Sequence, residues 1–382
     1  VSSEQDATGI DMIYLDNNST TEPDSNMLNA VIDIAKHWYG NPSSPHYYGQ
    51  VARDIMEQSR ESVSRSLGAR SSQIVFTSGG TEANNLALHK KSVIHSAVEH
   101  HSVTTATVPL DICSVNTDGT LNLDVLEELI KKHSDKKICV SVMYANNETG
   151  VILDPLLEIK KLKNKYDFIY HIDAVQALGK GVDIDVDNLG ADLLSISGHK
   201  IHGLKGIGAL YVRDPALIDP LFFGGSQEYG RRPGTENQVG IISLGHMCDK
   251  ISADVFYQNR ILNMAKLRDE LEGKLADIAT VNGNINHRVV NTSSLSIDAI
   301  SDLDLFIEIL SSMGVYVSGK SACSTGMPKP SQTLSAMFGP DDFRLHNTLR
   351  VSLSVNTTST DIEVACELIR EARRNYLNEI GD

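Results

Sequence analysis

FTSGGTEANNLALHK, residues 76–90, joins a β-branched run to a helical one through two adjacent glycines. The run ends at Thr77, Gly79 and Gly80 make a tight turn, and a helix begins near Thr81. Backbone N–H groups and the positive end of the helix dipole then converge on one spot, which makes an anion site. Taken alone, the same residues also suit an ordinary strand-to-helix turn.

Outward from this turn, short β-branched runs alternate with helical stretches between about residues 70 and 215. The runs are Ile74–Phe76, Ser92–Val98, Ile138–Tyr144, Phe168–Ile172, Leu193–Ile196 and Gly208–Val212, and Leu123–Lys132 reads as a helix capped by Asn122. This is the pattern of an α/β protein with a mainly parallel sheet flanked by helices. Beyond Gln238 it becomes α+β. A helical stretch near Asp254–Leu275 precedes a strand near Ser293–Ile297, a helix near Asp302–Met313, a loop, a strand Thr348–Ser354 and a last helix. That helix opens on Thr360-x-x-Glu363, read as a capping box. We expect a large α/β domain over 16–240 and a smaller α+β domain over 241–382, joined by residues 1–15.

The 382 residues exceed what one minimal core needs. With 41% hydrophobic and 22% charged residues and no apolar run of about 18, the chain reads as globular, with no membrane partner. The opening VSSEQDATGIDM is polar and acidic and carries no secretory pattern. Five cysteines, with no C-x-x-C pair, argue against a disulfide framework and for a cytoplasmic location. A net charge of −15 argues against direct nucleic-acid binding.

Two further stretches carry chemistry. In FIYHIDAVQALG (168–179), Asp173 falls at the C-terminal end of an apolar strand, where open α/β sheets place ligands. In LLSISGHKIHG (193–203), Lys200 follows another such strand after only Ser197, Gly198 and His199. Separately, Asp173 could cap a helix and Lys200 could be a solvated surface residue. Together, a phosphate-binding turn, an acid and a lysine match the needs of pyridoxal phosphate: charge anchor, ring-nitrogen partner and Schiff-base tether.

A wider set of segments then carries a resemblance: YLDNNSTT (14–21), TSGGTEANN (77–85), NNETG (146–150), HIDAVQ (171–176), SGHKIHGLKGIGALYV (197–212), RRPGTEN (231–237), the loop around Cys323 and LRVSLS (349–354). In order, over almost the whole chain, these resemble the cysteine desulfurases, in the class V aminotransferase group of fold-type I pyridoxal-phosphate enzymes. The resemblance implies a large domain built on a seven-stranded type of sheet. It implies that Lys200 tethers the cofactor, Asp173 pairs with the pyridine nitrogen, Gln176 bonds the phenolic oxygen, and His100 stacks on the ring as an acid/base. Gly80, Thr81, Ser197 and His199 would hold the phosphate, with Thr235 donated by the second subunit of a homodimer. Asn147 would lie near the substrate and Arg350 would clamp its carboxylate. A guanidinium fork matches a carboxylate bidentately, which lysine cannot do. Sequence alone does not choose between His100 and His101; the motif position selects His100. No cluster with metal-ligand spacing accompanies this pair, so no metal is expected.

The implied reaction converts L-cysteine to L-alanine. Lys200 is the base, and Cys323, as thiolate, takes the sulfur as a persulfide. Val317–Gln332 (VSGKSACSTGMPKPSQ) has neither helical nor strand period and reads as a loop. A free thiol ionises near pH 8.5, so flanking Lys320 and Lys329 would assist. The persulfide would pass to an acceptor protein of iron–sulfur assembly, tRNA thiolation or DNA phosphorothioation. The sequence stops soon after the helix containing Ile369-Arg370, without the extension that housekeeping members use to dock a scaffold, which on this resemblance would put the scaffold partner in doubt and leave room for a dedicated acceptor. Lys320 before Ser-Ala-Cys and Gly80 in place of alanine depart from the family pattern without removing a catalytic group. The rival readings are a related lyase or aminotransferase, including one acting on selenocysteine, which would not need Cys323, and a non-catalytic adaptor.

Overall fold

The computed structural model describes residues 12–319 and 330–380. Its strands in chain order are β1 (Ile13–Tyr14), β2 (Ile74–Thr77), β3 (Ser92–Ser96), β4 (Asp111–Cys113), β5 (Ile138–Met143) and β6 (Ile169–Asp173). They continue as β7 (Leu193–Ser197), β8 (Gly208–Val212), β9 (Ala279–Val281), β10 (Thr292–Ile297), β11 (Val315–Tyr316) and β12 (Thr348–Ser352). A seven-stranded sheet has the order β2-β8-β7-β6-β5-β3-β4. It is parallel from β4 to β7, while β8 runs antiparallel to both β7 and β2.

Both faces of this sheet are covered, which is why its strands read as continuous apolar runs rather than alternating ones. Ile74, Phe76, Ile94, Val140, Ile172, Leu194 and Tyr211 join one core cluster, while Val75, Val93, Cys139, Ile169, Leu193 and Leu210 join the cluster on the other face. Successive residues of one strand thus feed opposite cores. The second cluster includes Ala83, Leu86 and Leu88 from helix Gly80–Leu88.

A three-stranded antiparallel sheet, β12-β10-β9, is accompanied by helices Val255–Leu275, Leu303–Ser312 and Ser359–Ile380. The N-terminal segment joins these elements: β1 pairs with β11, and Asp16 bridges Ser352. The helix read near Asp254–Leu275 is observed there, whereas the cap read for the last helix changes. The stretch near Asp254–Leu275 is preceded by a separate helix, Gln238–Ala253, and Asp254 caps the second helix by accepting from Tyr257 N at 3.1 Å. The last helix is capped not by Thr360 but by Thr358, which exchanges hydrogen bonds with Asp361 at 2.8 and 3.1 Å. A run of Thr and Ser offers several caps; burial of Ile362, Ala365 and Ile369 selects the earlier one.

Candidate active site

The register of the large sheet assembles the site. Thr77 and Ser197 both pair with Gly208, and Asp173 pairs with Ser195. The ends of β2, β6 and β7 therefore meet at one edge of the sheet, the position where this class of sheet binds ligands. The cleft there encloses about 820 Å³ including its open mouth, and its lining includes Gly80, Thr81, His100, Asn147, Asp173, Gln176, Ser197, His199, Lys200 and Arg350.

At one end, the chain leaves β2 through Gly79, whose φ of 152° suits a residue without a side chain, and enters helix Gly80–Leu88. Gly80 is glycine for space: a Cβ there would stand 2.7 Å from Val175 Cγ2. Ser197 Oγ, at the end of β7, is buried with no hydrogen-bond partner among the described residues. A buried hydroxyl left unpaired costs free energy unless a ligand completes it. His199 lines the cleft, and with Lys205 it also lines an adjoining pocket at the Gly80–Thr81 turn. Burial, reinforced by Lys200, Lys205 and Lys180, pushes the His199 imidazole down to about 4. Helix N-terminal amides, an unpaired hydroxyl and lysine neighbours make an arrangement that could hold a phosphate.

Beyond the cradle, Asp173 ends β6 and is buried; its Oδ1 accepts from Val175 N at 3.0 Å and its Oδ2 from Asn84 Nδ2 at 2.7 Å. The Lys200 amine donates to the carbonyl oxygens of Asn18 and Ser19 at 2.5 and 2.7 Å. Gln176 Nε2 donates to the same Asn18 oxygen at 2.9 Å. Arg350, on β12, directs Nη2 to Asp16 Oδ1 and Ser19 Oγ, each at 2.7 Å, and Nη1 to the Asn147 carbonyl at 3.1 Å. His100 caps the short helix His101–Thr104 and lines the cleft, whereas His101 is exposed.

One expected residue is not in this cleft. Thr235 is exposed on the 231–237 segment and does not line it. Cys323 lies outside the described residues, as do Lys320 and Lys329. Three residues that sequence reasoning missed complete the surroundings: Asn18, Asn84 and Lys180. Lys180 is only 4% exposed, and its amine donates to Asn18 Oδ1 at 2.8 Å and to Gln176 Oε1. Burial, with Lys200 and Arg350 nearby, holds this amine well below the ordinary lysine value. Its one signal in the sequence is its place four residues after Gln176.

An anion cradle, a carboxylate at a strand end and a lysine facing both, on a mainly parallel seven-stranded sheet, define a fold-type I pyridoxal-phosphate enzyme, and these residues fit that cofactor. Comparison with known proteins agrees. The aminotransferase class-V profile matches residues 13–364. A cysteine desulfurase of Nostoc sp. is 39% identical over 94% of this chain and 92% of its own length, and cysteine desulfurase IscS of Dictyoglomus turgidum is 36% identical over 94% and 93%. Among solved structures, the NifS-like protein from Rickettsia africae superposes with a TM-score of 0.84 at 33% identity, covering 95% of this chain and 99% of that one. SspA in complex with cysteine gives 0.76 at 28% identity, covering 90% and 99%. The chain belongs to the aminotransferase class-V family and, within it, to the cysteine desulfurases.

Proposed function

We propose that this enzyme removes sulfur from L-cysteine, releases L-alanine and carries the sulfur as a persulfide on Cys323 to an acceptor protein. One observation carries the reading: the Lys200 amine and the Arg350 guanidinium both bind Ser19, one to its carbonyl and one to its hydroxyl. An α-amino acid bears its nitrogen and its carboxylate on one carbon. Groups that recognise these two ends must therefore lie this close together.

Gly80, Thr81, Ser197 and His199 would hold the cofactor phosphate, with Thr235 supplied by the second subunit of a homodimer. Asp173 would meet the ring nitrogen, Gln176 the phenolic oxygen, His100 the ring face, and Lys200 the aldehyde carbon. When bound, pyridoxal phosphate supplies an electron sink that makes the α-proton of the substrate acidic. Arg350 binds the substrate carboxylate through its fork, and Asn147 borders the same space. Lys200 Nζ takes the α-proton. The Cys323 thiolate attacks the substrate sulfur; the S–S bond forms as the C–S bond breaks, its electron pair returning to the carbon that is then protonated to give alanine.

Assignment to Cys323 is supported by the other four cysteines, which are all buried. Burial pushes the thiols of Cys113, Cys139 and Cys248 up to about 12 and that of Cys366 up to about 11, which suppresses the nucleophilic form. Given the acidic chain, the acceptor is a protein rather than a nucleic acid, from iron–sulfur assembly, tRNA thiolation or DNA phosphorothioation. Alanine and sulfide release from L-cysteine by wild type and Cys323→Ala tests the scheme. Undiminished sulfide from the variant would overturn the role of Cys323, and a pull-down with persulfidated enzyme identifies the acceptor.

A further inference from the structure

Two buried side chains without a part in the reaction above connect His100 to Asp173. Asn84, within helix Gly80–Leu88, donates from Nδ2 to Asp173 Oδ2 at 2.7 Å and to Ser102 Oγ at 2.9 Å. The reversed amide would set its oxygen against the carboxylate, so the orientation is fixed. Ser102 Oγ accepts from Asn84, and its own proton then points to His100 Nδ1, 2.7 Å away. The backbone N–H of Ser102 donates to the same nitrogen at 3.1 Å. A hydrogen on Nδ1 would confront that amide hydrogen, so the neutral ring carries its proton on Nε2.

Among the described residues, the titratable groups facing His100 include Asp173, Lys200 and His101. Burial, the largest influence, disfavours the imidazolium; Asp173 favours it, and Lys200 and His101 oppose it. Asn84 spends both amide hydrogens on the link, and its Oδ1 stays buried with no partner among the described residues. Leaving a buried carbonyl unpaired carries a free-energy cost.

We propose that Asn84 and Ser102 are positioning residues that fix His100 as its Nε2–H tautomer and couple its ring to Asp173, making His100 a hydrogen-bond donor toward the bound reactants and not the base. The proposal rests on the site reading given above and sharpens it: proton abstraction falls to Lys200 alone.

The test is ring-¹⁵N NMR of histidine-labelled holoenzyme, with His100 assigned through His100→Gln. A neutral ring at pH 7 with bare Nδ1 and protonated Nε2 is expected; a proton on Nδ1, in either the neutral ring or a cation, overturns the proposal. Steady-state kinetics tests the coupling. Ser102→Ala should lower kcat about fivefold to tenfold with KM for L-cysteine unchanged, the loss of one neutral hydrogen bond, and Ser102→Thr should recover most of it. Wild-type kcat in Ser102→Ala overturns the coupling. If the desulfurase reading itself fails, wild type yields no alanine, while the ¹⁵N spectrum still reports the ring.

Discussion

Asp16 and Arg350 form an ion pair, Oδ1 to Nη2 at 2.7 Å, that joins positions 334 residues apart and orients the guanidinium at the cleft. Arg350 is 3% exposed, and its Nε is buried with no partner among the described residues. A lysine would keep the charge and lose the fork. Arg350→Lys should raise KM for L-cysteine about tenfold to a hundredfold, and Asp16→Asn by a smaller factor of about threefold, with kcat less affected in both. Steady-state kinetics checks this; a change confined to kcat in both variants would count against the carboxylate role.

Lys200→Ala removes the amine that now rests on Asn18 and Ser19. Purified wild type should be yellow and the variant colourless, with less than about one thousandth of wild-type alanine formation. Absorption spectra after dialysis against free cofactor decide it.

Alkylation should separate the thiols by burial. At pH 7.5, iodoacetamide should label Cys323 within minutes and leave Cys113, Cys139, Cys248 and Cys366 as thiols until the protein is denatured. Peptide mass spectrometry reads each site. Rapid labelling of any of the four in native protein would contradict their inertness.

The fold was legible where strand ends meet glycine turns. Thr77, Asp173 and Ser197 each close an apolar run, so periodicity alone located them, and the sheet register then aligned them at one edge. Less was legible where burial overrides residue type. Lysine and asparagine are expected at surfaces, yet Lys180 and Asn84 are buried because each finds oxygen acceptors that only the tertiary fold supplies. The edge strand β4, three residues with a half-exposed pattern, is too short to show a period. His100 and His101 are adjacent and chemically identical; only the turn that starts a helix between them directs one inward.

His171, on β6, is fully buried and bonded through its two ring nitrogens to Ser141 Oγ at 2.8 Å and Ser195 Oγ at 3.0 Å. Burial, with a smaller contribution from Lys91, pushes it down to about 3. Below about pH 6.5 the unfolded chain gains a proton here that the folded chain does not, so stability falls with pH, by about 2 kcal/mol between pH 7 and 5. Glu99 acts oppositely: burial raises its carboxyl to about 8, so it favours the fold at low pH and loses that contribution as pH rises toward 8. Denaturant melts at pH 7 and pH 5 should therefore show His171→Gln losing about 2 kcal/mol less than wild type on acidification.

Arg60 and Glu228 make a buried bidentate pair, with Nη2 to Oε1 at 2.6 Å and Nη1 to Oε2 at 2.8 Å. Glu228 and Tyr229 both hold left-handed backbone, with φ of 51° and 58°, in the segment leading to Thr235. Removing one partner leaves the other charge unpaired in the core. Arg60→Met should cost about 3–5 kcal/mol and lower the melting temperature, and it should weaken the proposed homodimer, to which Thr235, further along the same segment, would contribute. Calorimetry and light scattering check the two consequences.

The described segments on either side of residues 320–329 are moored beside the cleft. Ser318 exchanges backbone hydrogen bonds with Arg350 at 2.6 and 3.3 Å, and Ser331 Oγ donates to Glu148, next to Asn147, at 2.5 Å. Cys323 is four residues from Gly319, and a polypeptide spans at most about 3.6 Å per residue. The thiol is therefore on a leash of about 14 Å from Gly319 to its Cα. Under the proposed scheme an acceptor would have to come within that radius, so its docking face can be mapped by cross-linkers of matching length anchored at Cys323.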